Sequence, residues 1–169
     1  MRLKAECMAK SNPDAEPLIL QEFLPYRLSV VTEAVSSLFA ARYQQRFGLS
    51  IPEWRVVAVV GQHGTLSTQQ VIEHTGMDRV QVSRAVIRLA DKALLNRQSH
   101  PHDQRAQVLT LSRQGRAVYN EIVPLARDMQ AALAAALTES EQRQLGVILE
   151  KIGRRTRELS GRVADAAPK

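Results

Sequence analysis

A single cysteine, Cys7, stands among 169 residues, so no disulfide can close within the chain, and a reducing compartment is expected. Long apolar runs are missing too. None approaches the eighteen or so residues that a membrane-spanning helix requires, so no membrane partner is expected. The chain contains no Gly-rich phosphate loop, no G-x-S-x-G, no H-E-x-x-H, and no histidine close to Cys7 in sequence. Enzymatic chemistry therefore has no visible residues to carry it. The four histidines, His63, His74, His100 and His102, show no metal-ligand spacing with a carboxylate or thiolate, so neither a metal nor a cofactor is expected. His100 and His102 suit phosphate contact better. The opening "MRLKAECMAKSNPDAEP" carries charges but no apolar core and no small-residue cleavage site. It reads as a mobile tail rather than a signal peptide, which favours a cytoplasmic location.

What the chain does have is positive charge, and that charge is focused. The net charge is +6 with a pI near 10.0, which calls for a polyanionic partner. Arg79, Arg84, Arg88, Lys92, Arg97, Arg105 and Arg113 face only Asp91 and Asp103 in the same stretch. About a fifth of the chain thus holds nearly all of the excess.

Hydrophobic spacing orders the rest. From Leu24 to Phe47, Leu28, Val31, Val35, Leu38, Phe39 and Phe47 repeat at helical intervals with Tyr43 alongside, and Gly48 stops the run. At 1.5 Å per residue such a helix runs on the order of 30 Å, more than a small DNA-reading domain needs. Part of its apolar face should therefore meet a second subunit. "SIPEWRVVAVVGQHG" reads as a short helix with Ser50 as cap, Pro52 in the first turn, Gly61 and Gly64 closing it, and Trp54, Val57, Ala58 and Val60 in the core. "LSTQQVIEHTG" follows, capped by Ser67 or Thr68 with Gln70 completing a capping box, and ended by Gly76. Asp78 caps a longer helix to about Lys92 with Val82, Ala85, Val86 and Leu89 inward. A Gly-containing turn between two helices is a helix-turn-helix. The period then changes: Leu95, Arg97 and Ser99, then Gln107, Leu109 and Leu111, fit two short strands, with "HPHDQR" as the hairpin tip. Helical spacing resumes through Val118, Ile122, Leu125, Met129 and Leu133, with Pro124 bending the helix. A last helix opens on a Thr138/Glu141 capping box and repeats Leu145, Ile148, Leu149 and Ile152.

With Val82, Val86 and Leu89 inward, Arg79, Gln81, Ser83, Arg84 and Arg88 must point outward. Arg suits guanine, Gln adenine, Ser several partners, and the major groove admits one helix. A short helix, a Gly turn, a basic helix and a hairpin carrying Arg105 follow the order of a winged helix-turn-helix. Taken together, "STQQVIEHTGMDRVQVSRAVIRLADKALL", "DQRAQVLTLSRQGR" and "IPEWRVVAVV" resemble the MarR family of bacterial transcription regulators, over roughly residues 20 to 160. Asp103, Arg105, Leu109 and Thr110 match that family's wing signature.

The resemblance implies a mainly α fold with a small β wing, a winged helix-turn-helix domain plus N- and C-terminal dimerisation helices. In these terms residues 1–20 form a tail, 21–48 a dimerisation helix, 49–112 the DNA-binding domain, 113–163 the C-terminal dimerisation helices and 164–169 a second tail. It implies a homodimer on a pseudo-palindromic operator in double-stranded DNA, most simply a repressor. Ser83 and Arg84 would lie in the major groove, and Arg105, oriented by Asp103, in the minor groove. Many relatives carry two Arg after the wing Asp; here Gln104 replaces the first, which removes one phosphate contact. The resemblance further implies a small-molecule effector between the dimer helices and the winged domain. Tyr26, Arg27, Tyr43, Arg46, Trp54 and Arg55 border that crevice, and Arg beside an aromatic suits an aromatic carboxylate. "FLPYRLSVV" and "FGLSIPEWRV" loosely resemble regulators that sense aromatic acyl-coenzyme A thioesters. Tyr43 and Trp54 equally suit core or interface packing. Two alternatives stand beside this reading, a redox-sensing regulator acting through Cys7 and a non-specific architectural DNA-binding protein.

Overall fold

The computed structural model describes residues 16–100 and 103–165; for residues 99–100, 103–106 and 162–165 only the backbone is described. Cys7 and His102 lie outside the described residues. Among the described residues six helices and a three-stranded antiparallel sheet are formed.

Local chemistry sets most of the boundaries. Helix α1 (Leu24–Phe47) starts with Pro25 in its first turn, where the missing N–H costs nothing, and ends at Gly48, whose φ of 63° needs a residue without a side chain. Helix α2 (Ile51–His63) opens on Ser50, whose backbone N–H and Oγ both donate to Glu53 Oε2, at 2.7 and 2.8 Å. A two-residue strand β1 (Leu66–Ser67) leads into α3 (Thr68–Thr75). There Ser67 Oγ accepts from Gln70 N at 3.2 Å while Gln70 Oε1 accepts from Ser67 N at 2.8 Å, a complete capping box. Gly76, at φ 65°, makes the turn. Asp78 Oδ1 then accepts from Gln81 N at 2.8 Å and starts α4 (Arg79–Asp91).

Strands β2 (Leu95–His100) and β3 (Asp103–Leu111) form the wing. The hairpin tip is shorter than "HPHDQR" suggests. His100 pairs with Asp103 across the strands, so Asp103 and Arg105 belong to β3 rather than to the loop. Strand β1 adds to the other edge of β3, pairing Leu66 with Leu109 and Ser67 with Val108, which gives the order β1-β3-β2. Helix α5 (Arg113–Ala134) begins at Ser112, whose Oγ accepts from Gly115 N at 2.9 Å and donates to Ala93 O at 2.6 Å. Pro124 lies inside this helix. Helix α6 (Glu139–Asp165) opens on the Thr138/Glu141 box. Bonds from Thr138 N and Oγ1 lower the Glu141 pKa.

The core lies between α2 and α4 and is closed by α3, the wing, the end of α1 and the start of α5. Val57, Val60, Val71, Val82, Ala85, Leu89, Leu109 and Ile122 are buried in it. Ala58 is only half-buried, and Val56 takes the interior place beside Val57. Gly61 does not close α2; the helix runs two residues further to His63. A Cβ at Gly61 would collide with the Tyr119 ring of α5, so glycine there permits close approach of two helices. By contrast α6 packs extensively against no other described element, and Leu145, Val147, Ile148 and Leu149 remain exposed along it. Much of α1 is similar, with Leu24, Val30, Val31 and Leu38 exposed.

Candidate nucleic-acid interface

Burial of Val82, Ala85, Val86 and Leu89 fixes how α4 is rotated. Arg79, Gln81, Ser83 and Arg84 consequently face solvent, with Arg84 opposite the core and the others on its flanks. The N-terminus of α4 sits two residues after the Gly76 turn, so the positive end of its dipole shares that surface.

Arg88 departs from the outward array. Its Nε donates to Glu53 Oε1 at 3.2 Å, and Lys92 Nζ reaches the same oxygen at 3.1 Å while also donating to Gly48 O at 2.8 Å. Glu53 is 2% exposed, and a buried carboxylate persists only when paired. Burial raises its pKa, but the Ser50 N–H and hydroxyl together with the Lys92 ammonium outweigh that and hold it below the usual carboxylate range. Arg88 is therefore held toward α2 by a partner 35 positions away in sequence. The cluster joins the end of α1, the first turn of α2 and the last turns of α4.

On the wing, Arg97 Nε and Nη2 both donate to Gln107 Oε1, at 3.2 and 2.9 Å, across the strands. Asp103 and Arg105 are placed by their backbone in β3, whose middle pairs with both β1 and β2. The side chains of Asp103, Gln104 and Arg105 lie outside the described residues.

The six residues expected at an effector crevice do not gather in one place. Trp54 and Arg55 line a recess of about 190 Å³ with Val35, Ser36, Phe39 and Ile51. Tyr43 stands behind it with its ring 4.9 Å from Trp54 and 6.0 Å from Phe39. It is fully buried, and burial raises its pKa. Neither Tyr43 Oη nor Trp54 Nε1 has a hydrogen-bond partner among the described residues. Arg46 does not line the recess: its Nη2 pairs with Glu121 Oε2 of α5 at 3.2 Å, and its guanidinium lies 5.5 Å from the Phe47 ring centre. Tyr26 and Arg27 sit on the first turn of α1, on the order of 12 Å along the helix from Val35, and do not line it either.

Sequence reasoning missed Glu53 and Lys92, because only the fold brings α2 and α4 together. It also passed over Val80 and Ile87, which are exposed on α4 although their type should have drawn notice on a basic face. His63 and His74 stack with ring centres 4.3 Å apart. No three His, Cys, Asp or Glu side chains converge as metal ligands among the described residues. No helix is long and apolar enough to cross a membrane among them.

A helix-turn-helix with a three-stranded wing and an exposed basic second helix defines a winged helix-turn-helix fold. Residues 47–106 match the model of the MarR family. The chain is similar to that family over this stretch, about a third of its length. Among its relatives, the HTH-type transcriptional repressor NicR of Pseudomonas putida is 24% identical over 153 residues, covering 85% of this chain and 93% of that one. The structure is similar to a MarR/EmrR family regulator from Acinetobacter sp. ADP1, with a TM-score of 0.77 and 23% identity over 83% of this chain and 99% of the other. It is also similar to Bordetella bronchiseptica BpsR, whose DNA binding is regulated by 6-hydroxynicotinic acid (TM-score 0.75, 23% identity, 82% and 98% coverage).

Proposed function

We propose that two copies of this chain bind a pseudo-palindromic operator as a ligand-responsive repressor. The observation that carries the reading is the outward face of α4: Gln81, Ser83 and Arg84 together on a surface fixed by the buried stripe behind them. Arg84 and Gln81 contact base edges, Ser83 a base or phosphate, and Arg79 the phosphate backbone near the helix start. Arg105, set by Asp103, enters the minor groove, and Arg88 positions α4 through Glu53. Dimerisation is supported by the exposed apolar faces of α1 and α6, the latter a 27-residue helix without an extensive partner in its own chain. A helix of that kind gains its stability from packing an amphipathic face.

The effector reading rests on the recess beside Trp54 and Arg55, with the unpartnered Tyr43 hydroxyl and Trp54 N–H behind it. An apolar recess with a guanidinium and two polar hydrogens suits an aromatic carboxylate or its acyl-coenzyme A thioester. BpsR, which responds to 6-hydroxynicotinic acid, offers a parallel. Tyr26, Arg27 and Arg46 have no part in this narrower site.

Selection of bound DNA from a random pool tests the whole reading. An enriched inverted repeat with half-sites about one helical turn apart is expected. Binding without enrichment, with only a steep salt dependence, would leave an architectural protein instead.

A further inference from the structure

The outward face of α4 carries two large apolar side chains that nothing among the described residues covers. Val80 is 57% exposed and Ile87 46%. Helical spacing sets Val80, Arg84 and Ile87 in one ridge, at i, i+4 and i+7, directly opposite the buried stripe. Arg84 is thus flanked by an aliphatic side chain one turn before it and another one turn after. Single exposed aliphatics are ordinary on a protein surface, but these two stand on the same helix as Arg79, Arg84 and Arg88. Helix α4 packs against α2, α3 and β2, whereas most of the other exposed large apolar side chains lie on or just before α1 and on α6. The occupant of this ridge is therefore polyanionic and carries an apolar group. Double-stranded DNA satisfies both conditions at one place: the C5 methyl of thymine is the apolar feature of its major-groove edge.

We infer that Val80 and Ile87 are specificity-determining residues that read thymine methyls on either side of the base contacted by Arg84. Seven residues of α-helix separate them, on the order of 10 Å, which matches about three base steps at 3.4 Å each. Val80 lies in the first turn, next to the Asp78 cap, and makes the closer contact, because recognition helices present their N-terminal residues to the bases. The inference rests on the reading of α4 as the base-contacting helix.

The test replaces each thymine of the selected operator, one at a time, with deoxyuridine, which keeps every hydrogen-bonding group and removes only the methyl. Full-length protein should lose about threefold to fivefold in affinity at one or two thymines per half-site, the value of burying one methyl-sized group. Val80→Ala should abolish the discrimination at one of these positions and Ile87→Ala at the other. Alanine is the better helix former, so melting temperatures at or above the parent's would show that α4 remains folded. Deoxyuridine tolerated at every position by the parent protein would overturn the inference and leave the operator reading standing. So would equal losses by the variants on thymine and uracil sites. Failure to enrich any sequence, with Arg84→Ala weakening all DNAs alike, would overturn both.

Discussion

Individual side chains on α2 and α4 differ in whether they face solvent or hold the fold together. Arg84 stands on the exposed ridge, and Arg84→Ala should cost about 1–3 kcal/mol on the cognate site, relaxing the preference at one base pair. Equal loss on unrelated sequences, measured by titration, would make it a phosphate contact. Glu53 holds. Its folded pKa lies below the usual range, so its contribution to stability is complete above that range and disappears as pH falls through the lowered value. Glu53→Gln should cost about 1–3 kcal/mol at neutral pH, because Arg88 and Lys92 lose their shared anion. It should also flatten the acid limb of a stability-against-pH curve. An unchanged acid limb would show that the pairing contributes little. That cluster was not legible in the sequence, since Arg88 read as part of the outward array, nothing marked Glu53 as its partner, and only the packing of α2 on α4 brings them together.

At the scale of elements, the starts of helices were the most legible feature because capping is local. Ser67, Asp78, Ser112 and Thr138 each accept from a backbone N–H three residues on, Ser50 donates to Glu53 in its own first turn, and Gly48 and Gly76 take the left-handed conformation that ends a helix. The inward stripe of α4 was legible for the same reason, and with it the rotation of the DNA-facing surface. Longer-range features were hidden. Gly61 read as a stop, but its meaning lies in Tyr119, 58 residues on, whose ring occupies the space of a side chain. Gly61→Ala should therefore destabilise the fold although alanine favours the helix by about 1 kcal/mol. A higher melting temperature for that variant would contradict the close packing of α2 and α5. Strand β1 escaped notice because two residues carry no period.

For the whole molecule, the balance of apolar surface points beyond one chain. Leu38 is exposed on α1 as Leu145, Ile148 and Leu149 are on α6, and faces of that extent on two long helices are expected to close against a second copy. Leu38→Asp should shift the protein toward monomer in sedimentation and weaken operator binding, since a charge would be buried at the contact. Parent and variant sedimenting alike would remove α1 from the interface.

Strand β1 has a mechanical consequence. Because it leads straight into α3 and is hydrogen-bonded to the same strand that carries the wing, α3, on which α4 packs, and the wing are braced into one caliper jaw. In the proposed dimer, strain from an effector would tilt or separate two such jaws rather than reshape either. Saturating effector should therefore lower affinity for every operator variant by a common factor and leave their rank order unchanged, as competition binding across a panel of half-site variants would reveal. A reordered ranking would mean that the jaw itself deforms. Under the stiff regime, sequence preference and chemical responsiveness are separate inheritances, free to change independently from one regulator to the next.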